Sequence, residues 1–399
     1  MTSEVYVFVD GLEKKPIICG IAALDAQKKI GRFRYGLSYL NRPDAFSLDP
    51  INLPLTQDEF VTTTNNGIFG VLSDAGADSW GRRVILSLHT TKPQNELEFL
   101  IAGGGMGVGA LMFSLSRYSS KSKVNKNTLG DLPHLLQSKE AILNDEDISP
   151  EAKRAFEFGS SMGGARPKSL VVDGDVTYLA KFNRNDDLFN FAKVENATMQ
   201  MLTELPVRVA SNKVCETPDG DVLLVKRFES QSLRPTHHFI SANSLINLNR
   251  VNNQVAASRY SYGFIGEALR NFGSEPRDAV ELYWRMVFNV LMGNTDDHAR
   301  NHGLMYCFTD KSWRLTPAYD VLPISNSRQH GLGIGEQGRF GSIENLLSQS
   351  MRFALKPVKA RKIIAEVKEL TNEWPIYFSR NRVSDGDIER LKGVVPEWE

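Results

Sequence analysis

An α+β fold assembled from more than one packed unit is what this sequence predicts, and three observations predict it. Short alternating apolar runs fill the first 117 residues, a glycine-rich stretch leads straight into the hairpin pattern SLVVDGDVTYLAKF, and the long apolar pattern DAVELYWRMVFNVLMG precedes a dense polar cluster, GNTDDHARN. The 399 residues exceed one ordinary core. With 41% hydrophobic and 24% charged residues, the chain has ample apolar material to bury and disorder is not expected.

Lysine plus arginine equals aspartate plus glutamate at 47 each, so no net field draws the molecule to DNA, RNA or an anionic membrane. The three cysteines, Cys19, Cys215 and Cys307, have no CxxC spacing and indicate neither a disulfide framework nor a zinc knuckle. The start, MTSEVYVFVDG, carries acidic residues and a strand pattern where a signal peptide would be basic and then apolar, and no run is apolar enough to span a membrane. A cytoplasmic protein without membrane contact is expected.

Taken in order, Val5–Val9 and Cys19–Leu24 read as strands, and Gly67–Leu72 leads into ADSWGRRVILSLH, which reads as a helix. The glycines of GGGMGVGALMFSLSRY precede a strand and not a helix N-terminus, so they predict a turn that closes this unit and not a phosphate loop. SSKSKVNKN, Ser119 to Asn127, reads as a linker. A short helix with Pro150 in its first turn, capped by Asp147 or Ser149, should run to about Phe158. The expected division is 1–118 for an N-terminal α+β subdomain, 119–155 for linker and short helices, 156–230 for a nucleotide-binding core and 231–399 for a helical lobe with the catalytic loop.

GSSMGGARPK followed by a hairpin that ends in Lys181 suits triphosphates: backbone N–H groups meet phosphate oxygens and a point cation holds them. It is not a Walker loop, and an ordinary surface hairpin has the same pattern. In FNFAKVENATMQMLTEL, Phe191, Val194, Ala197, Met201 and Leu202 recur at helical spacing, and Glu195 among them is placed either to pair with Lys181 or to be solvated. DGDVLLVKRFE reads as a strand running into a connector, with Lys226, Arg227 and Phe228 as candidates for a wall against an adenine.

The pattern from Ala279 to Met292 is apolar on nearly every face and predicts a buried helix that delivers Asp296 to a fixed place. Two strands around a turn at Thr309–Ser312 then bring Asp320 back towards it. This set suits phosphoryl transfer: Asp296 orients an attacking hydroxyl, and Asn301 and Asp320 hold Mg²⁺, a hard cation that prefers oxygen ligands. The interval from Asp296 to Asn301 matches the spacing of protein-kinase catalytic loops, with His298 as an auxiliary contact and Asp297 and Arg300 as scaffolding.

On these residues the sequence resembles the HipA-like serine/threonine kinases, the toxin component of bacterial toxin–antitoxin pairs. FRYGLSYLNRPDAFSL and GVLSDAGADSWGRR are similar to the family's N-terminal subdomain, SSMGGARPKSL to its glycine-rich loop, VKRFE to its connector, and GNTDDHARNHGLM with LTPAYDVLP to its catalytic core. The resemblance implies a two-lobed protein-kinase-like fold with an N-terminal α+β subdomain and an all-helical C-terminal lobe, which KPVKARKIIAEVKEL also suggests. It implies ATP and Mg²⁺ as cofactors, Asp296 and His298 as catalytic residues, and Asn301 and Asp320 as metal ligands. The implied nucleotide-binding set is Ser161, Met162, Gly163, Gly164, Ala165, Lys168, Lys181, Lys226 and Phe228, with Glu195 paired to Lys181. Ser161, or its neighbour Ser160, corresponds to a serine that the family phosphorylates on itself, where added charge would repel ATP. The implied partners are a small helix-turn-helix, HipB-like antitoxin, through which alone DNA is reached, and a protein substrate such as an aminoacyl-tRNA synthetase. The other readings are a small-molecule kinase of the same fold, an inert kinase-like binding module, and a metal-dependent hydrolase using Asp296, Asp297, His298 and His302.

Overall fold

The computed structural model describes residues 2–398 apart from 104, 121–125, 145, 147–148, 162–163, 248–257 and 274. Met162, Gly163, Asp147 and part of the expected linker therefore lie outside the described residues. The chain divides into two compact units, Met1–Arg184 with Cys215–Asn249 and Met305–Lys311, and Asn185–Val214 with Arg250–Leu304 and Ser312–Glu399. Both mix helices with antiparallel strands or bridges, as the α+β reading expects.

In the first unit, β1 (Glu4–Val9), β2 (Ile17–Asp25), β3 (Ile30–Tyr35), β4 (Glu59–Thr62) and β5 (Leu111–Ser114) form an antiparallel sheet in the order β4-β3-β2-β1-β5. Val5, Val7 and Val9 alternate inward as their spacing predicts, and a register shift at Val7/Phe8 turns Phe8 inward as well. The glycine-rich segment before β5 closes the unit by backbone contact: the carbonyls of Met106 and Gly107 accept from Arg227 at 3.1 and 2.7 Å. At Gly109, with φ of 76°, a Cβ would lie 2.7 Å from the Phe239 amide nitrogen.

The hairpin of β6 (Lys168–Asp173) and β7 (Val176–Phe182) pairs Asp173 with Val176, so the two loop residues are Gly174 and Asp175, one position later than an Asp173–Gly174 turn. The Gly220–Lys226 strand lies antiparallel to β7. One face of this sheet packs on a core of Trp80, Val84, Leu132, Leu135, Phe156 and Phe182. Apart from Phe182 of β7, those residues come from the Ser79–Leu88, Leu132–Leu143 and Pro150–Glu157 helices, the last capped by Ser149, whose hydroxyl accepts from Ala152 N.

In the second unit a central helix, Arg277–Leu291, is buried along nearly its whole length. The buried helix expected from its nearly all-round apolar pattern is there, and the one polar face is buried too. Asp278, Glu281, Arg285 and Asn289 are also buried, and their spacing places them on one face as a polar stripe. After Leu315 every named element is helical, including Pro357–Asn372 from KPVKARKIIAEVKEL. No helix among the described residues is long and apolar enough to cross a membrane.

Candidate functional site

The polar segment GNTDDHARN begins where the central helix stops. Gly293 takes a φ of 71°, and a Cβ there would meet the Ser325 carbonyl at 2.8 Å, so the turn requires glycine. The next residues alternate sharply in exposure: Asp296 is exposed, Asp297 is 2% exposed and Asn301 is buried. Asp297 accepts from Asn289 Nδ2 at 3.0 Å, is within hydrogen-bond distance of His302 Nε2 at 3.0 Å, and accepts from the Tyr262 hydroxyl. Asn294 Nδ2 donates to Asn289 Oδ1 at 3.1 Å, and His330 Nδ1 lies 3.3 Å from the Asn294 carbonyl. Burial holds the His330 imidazole below its ordinary value. The scaffolding role expected of Asp297 is what its contacts describe; its carboxylate is consumed inside the protein, which leaves Asp296 as the solvent-facing acid of the pair.

Arg300 was expected, with Asp297, as scaffolding of the loop. Its side chain is exposed, and the link runs instead through its carbonyl, which accepts from the Tyr319 hydroxyl at 2.9 Å. That bond joins this polar segment to the residue before Asp320. The return is fixed at two further points, since Thr316 N donates to the Gly303 carbonyl at 3.0 Å and Ala318 bridges in parallel to Val209. Asp320 itself has a φ of 60°, in the left-handed region that aspartate and asparagine enter more readily than most other residues.

The strip of chain that leads to Asp320 is held by the rest of the polar stripe. Asp278 accepts from Leu315 N at 2.7 Å and from Arg208 at 2.5 Å; Glu281 accepts from Arg208 Nε at 2.7 Å and pairs with Arg285. Arg285 in turn donates to the Thr316 carbonyl at 2.6 Å. Burial raises the Asp278 carboxyl and lowers the Arg285 guanidinium, opposed by the Leu315 amide and Arg208 in the first case and by Glu281 in the second. One helix face thus holds two separate strips of chain: Asn289 the strip with Asp296 and Asn301, and Asp278 with Arg285 the strip that ends at Asp320. No single position announced this in the sequence. The signal was the spacing of four polar residues inside an apolar helix.

In the first unit, Lys168 and Lys181 are direct cross-strand partners on the hairpin. Like charges so placed repel unless an anion or another group shares them. Lys168 is 5% exposed, and a Cβ on Gly164, whose φ is 104°, would lie 2.2 Å from its Nζ. The described part of the glycine-rich loop is tied to the start of the Ser79–Leu88 helix: Gly164 N donates to Asp78 Oδ1 at 2.5 Å and Trp80 N donates to the Gly164 carbonyl at 3.2 Å. Trp80 Nε1 donates to the Lys168 carbonyl at 2.7 Å. Ser160 and Ser161 are both buried, Ser160 donating to the Glu157 carbonyl at 2.9 Å, and Ala165 is exposed. Lys226 is exposed and Phe228 half-buried, whereas Arg227 is buried, paired with Glu229 and bonded to the glycine segment, so it braces the connector from inside. In the second unit, Glu195 is buried at 5% exposure within the Phe191–Leu202 helix, and His298 is half-buried.

The donor set Asn301 and Asp320 is all oxygen and suits Mg²⁺. Among the described residues no group of three histidine, cysteine or acidic side chains is arranged to hold a metal. A hydrolase centre built on Asp297 and His302 is further disfavoured because those two face each other inside the Tyr262 and Asn289 network.

The family model described as HipA-like C-terminal domain matches residues 160–374, and the HipA N-terminal domain model matches residues 19–114. No curated protein matches the chain. Among solved structures it is similar to HipA of Shewanella oneidensis MR-1, determined with HipB and operator DNA, at 15% identity and a TM-score of 0.69 over 97% of this chain and 94% of that one. The Helicobacter pylori proinflammatory kinase CtkA is similar at 15% identity and a TM-score of 0.37, over 56% of this chain and 94% of that one.

Proposed function

Because the chain belongs to the HipA family, we propose that it is a toxin-type serine/threonine protein kinase that uses ATP and Mg²⁺. The observation that carries the reading is the contrast at Asp296 and Asp297: one carboxylate faces solvent at the head of the loop while the next is locked inside. In this reading Asp296 orients the acceptor hydroxyl and takes its proton, His298 assists, and Asn301 and Asp320 hold Mg²⁺, which supplies charge neutralisation at the phosphates. The described residues Ser161, Gly164, Ala165, Lys168 and Lys181, with Met162 and Gly163 of the same loop, receive the nucleotide phosphates. Lys226 and Phe228 line its base, and Glu195 steadies Lys181.

The acceptors are a cytosolic protein, an aminoacyl-tRNA synthetase being the family's example, and the chain's own loop at Ser161 or Ser160. Both serines are buried, so phosphorylation requires the loop to leave its place against Asp78 and Trp80. A phosphate there adds nearly two negative charges beside Lys168 and blocks its return to the ATP-binding arrangement. A HipB-like helix-turn-helix antitoxin is the proposed partner, and DNA is reached through it. Purified protein incubated with labelled ATP and Mg²⁺ should carry label on the peptide spanning Ser160 and Ser161, with none in Asp296→Ala. Equal labelling of the variant would remove Asp296 from the role of base.

A further inference from the structure

Residues 328–341 form an antiparallel turn beside the catalytic loop. His330 N donates to the Arg339 carbonyl at 3.0 Å, Gly341 N donates to the Arg328 carbonyl at 2.7 Å, and Gln329 bridges Phe340. The turn is joined to the loop by Gly331 N, which donates to the Thr295 carbonyl at 3.0 Å, one residue before Asp296. The approach is close enough that a Cβ on Gly331 would lie 2.8 Å from the Asp297 carbonyl. On its outer side the turn presents Arg328, Arg339 and Phe340, all exposed.

Each arginine lies over an aromatic ring. The Arg328 guanidinium is 4.3 Å from the centroid of Trp398, which is itself fixed by donating to the Leu291 carbonyl at 3.0 Å. The Arg339 guanidinium is 5.6 Å from the centroid of Tyr260, whose hydroxyl lies 3.4 Å from the Ala299 amide of the catalytic loop. Among the described residues neither arginine has a carboxylate partner. A guanidinium stacked on a ring keeps its charge and its outward N–H donors while losing the freedom of a long side chain, which is how a binding cation is pre-organised.

Resting on the kinase reading, we propose that this double-arginine face is where the acceptor protein docks, and that it selects a segment with acidic residues beside the serine or threonine. The acceptor hydroxyl must reach Asp296, and a neutral hydroxyl can do so while acidic neighbours are drawn to Arg328 and Arg339 instead of repelled by Asp296. A nucleic acid fits the face less well. It would want a continuous basic track, whereas Glu336 and Asp296 interrupt this one and the chain has no net positive charge. Phe340, at 39% exposure, adds an apolar contact for the same segment.

The test uses the full chain and two fluorescent peptides with a central serine, one flanked by glutamates and one by lysines, read by anisotropy and by transfer from labelled ATP. The Glu-flanked peptide should bind and accept phosphate at least about ten-fold better than the Lys-flanked one, the scale of one desolvated charge pair. The Arg328→Glu/Arg339→Glu double variant should reverse that preference, and Arg328→Lys/Arg339→Lys should retain it, with ATP affinity unchanged in both. Equal use of the two peptides, or no effect of charge reversal, overturns the docking face while leaving the kinase intact. Selective binding of the Glu-flanked peptide with no phosphate transfer to any protein overturns the kinase reading and leaves an acidic-segment binder. A short oligonucleotide that displaces the Glu-flanked peptide through these arginines would reassign the face to nucleic acid.

Discussion

The two units present their candidate groups in opposite ways. In the second, the segments carrying Asp296, Asn301 and Asp320 are tethered from beneath by a buried polar stripe, so the side chains that would meet substrate need no support from solvent or ligand. In the first, the groups placed for phosphate lie on a hairpin and a glycine-rich loop, and the loop amide of Gly164 is occupied by the Asp78 carboxylate. In the proposed nucleotide complex a phosphate oxygen would take the place of that carboxylate oxygen. The difference teaches that candidate groups in one unit can be fixed by a buried core while those in another are held by surface-side hydrogen bonds.

The largest expected effect is at the stripe. Arg285→Met removes one of the two arginines paired with the buried Glu281, leaving it only Arg208, and frees the Thr316 carbonyl; it should cost about 3–5 kcal/mol in urea unfolding. A loss below about 1 kcal/mol would mean that the quartet does not hold the Asp320 strip. Trp80→Phe comes next: it keeps most of the core volume and removes the bond to the Lys168 carbonyl, for an expected loss of about 1–3 kcal/mol. Asp78→Ala, which removes the accepting oxygen, should change global stability little, by less than about 1 kcal/mol, yet tighten ATP binding by releasing the Gly164 amide. Weaker ATP binding in that variant would show that Asp78 shapes the loop for the nucleotide.

The smallest effect is a pH slope. His238 is buried with Nε2 2.9 Å from the Leu48 carbonyl, and burial holds its imidazole down to about 4 from 6.5. As pH falls through that window the unfolded chain takes a proton that the folded chain refuses, so stability falls with pH. His238→Gln lacks the titration, and its stability relative to the parent should therefore rise between pH 6.5 and about 4, as denaturation midpoints would show.

Much of this was legible in residues. The alternating valines of β1 and the amphipathic pattern of Phe191–Leu202 follow from local periodicity, and the hairpin was legible although its turn falls one position later than the Asp-Gly pair. What escaped depends on long-range pairing. Arg208 meets Asp278 across 70 positions and Asp78 meets Gly164 across 86, and no window along the chain contains both members of either pair. Glu195 shows the same limit, since its helix was legible but its burial was not.

The most direct test of the account compares neighbours. Single-turnover transfer of labelled phosphate and urea unfolding should be measured together for Asp296→Asn and Asp297→Asn. The account predicts that Asp296→Asn lowers transfer by about a hundred-fold or more with stability within about 0.5 kcal/mol of the parent. Asp297→Asn should instead lose about 1–3 kcal/mol of stability, with transfer partly retained by the folded fraction. Parental transfer in Asp296→Asn would contradict it.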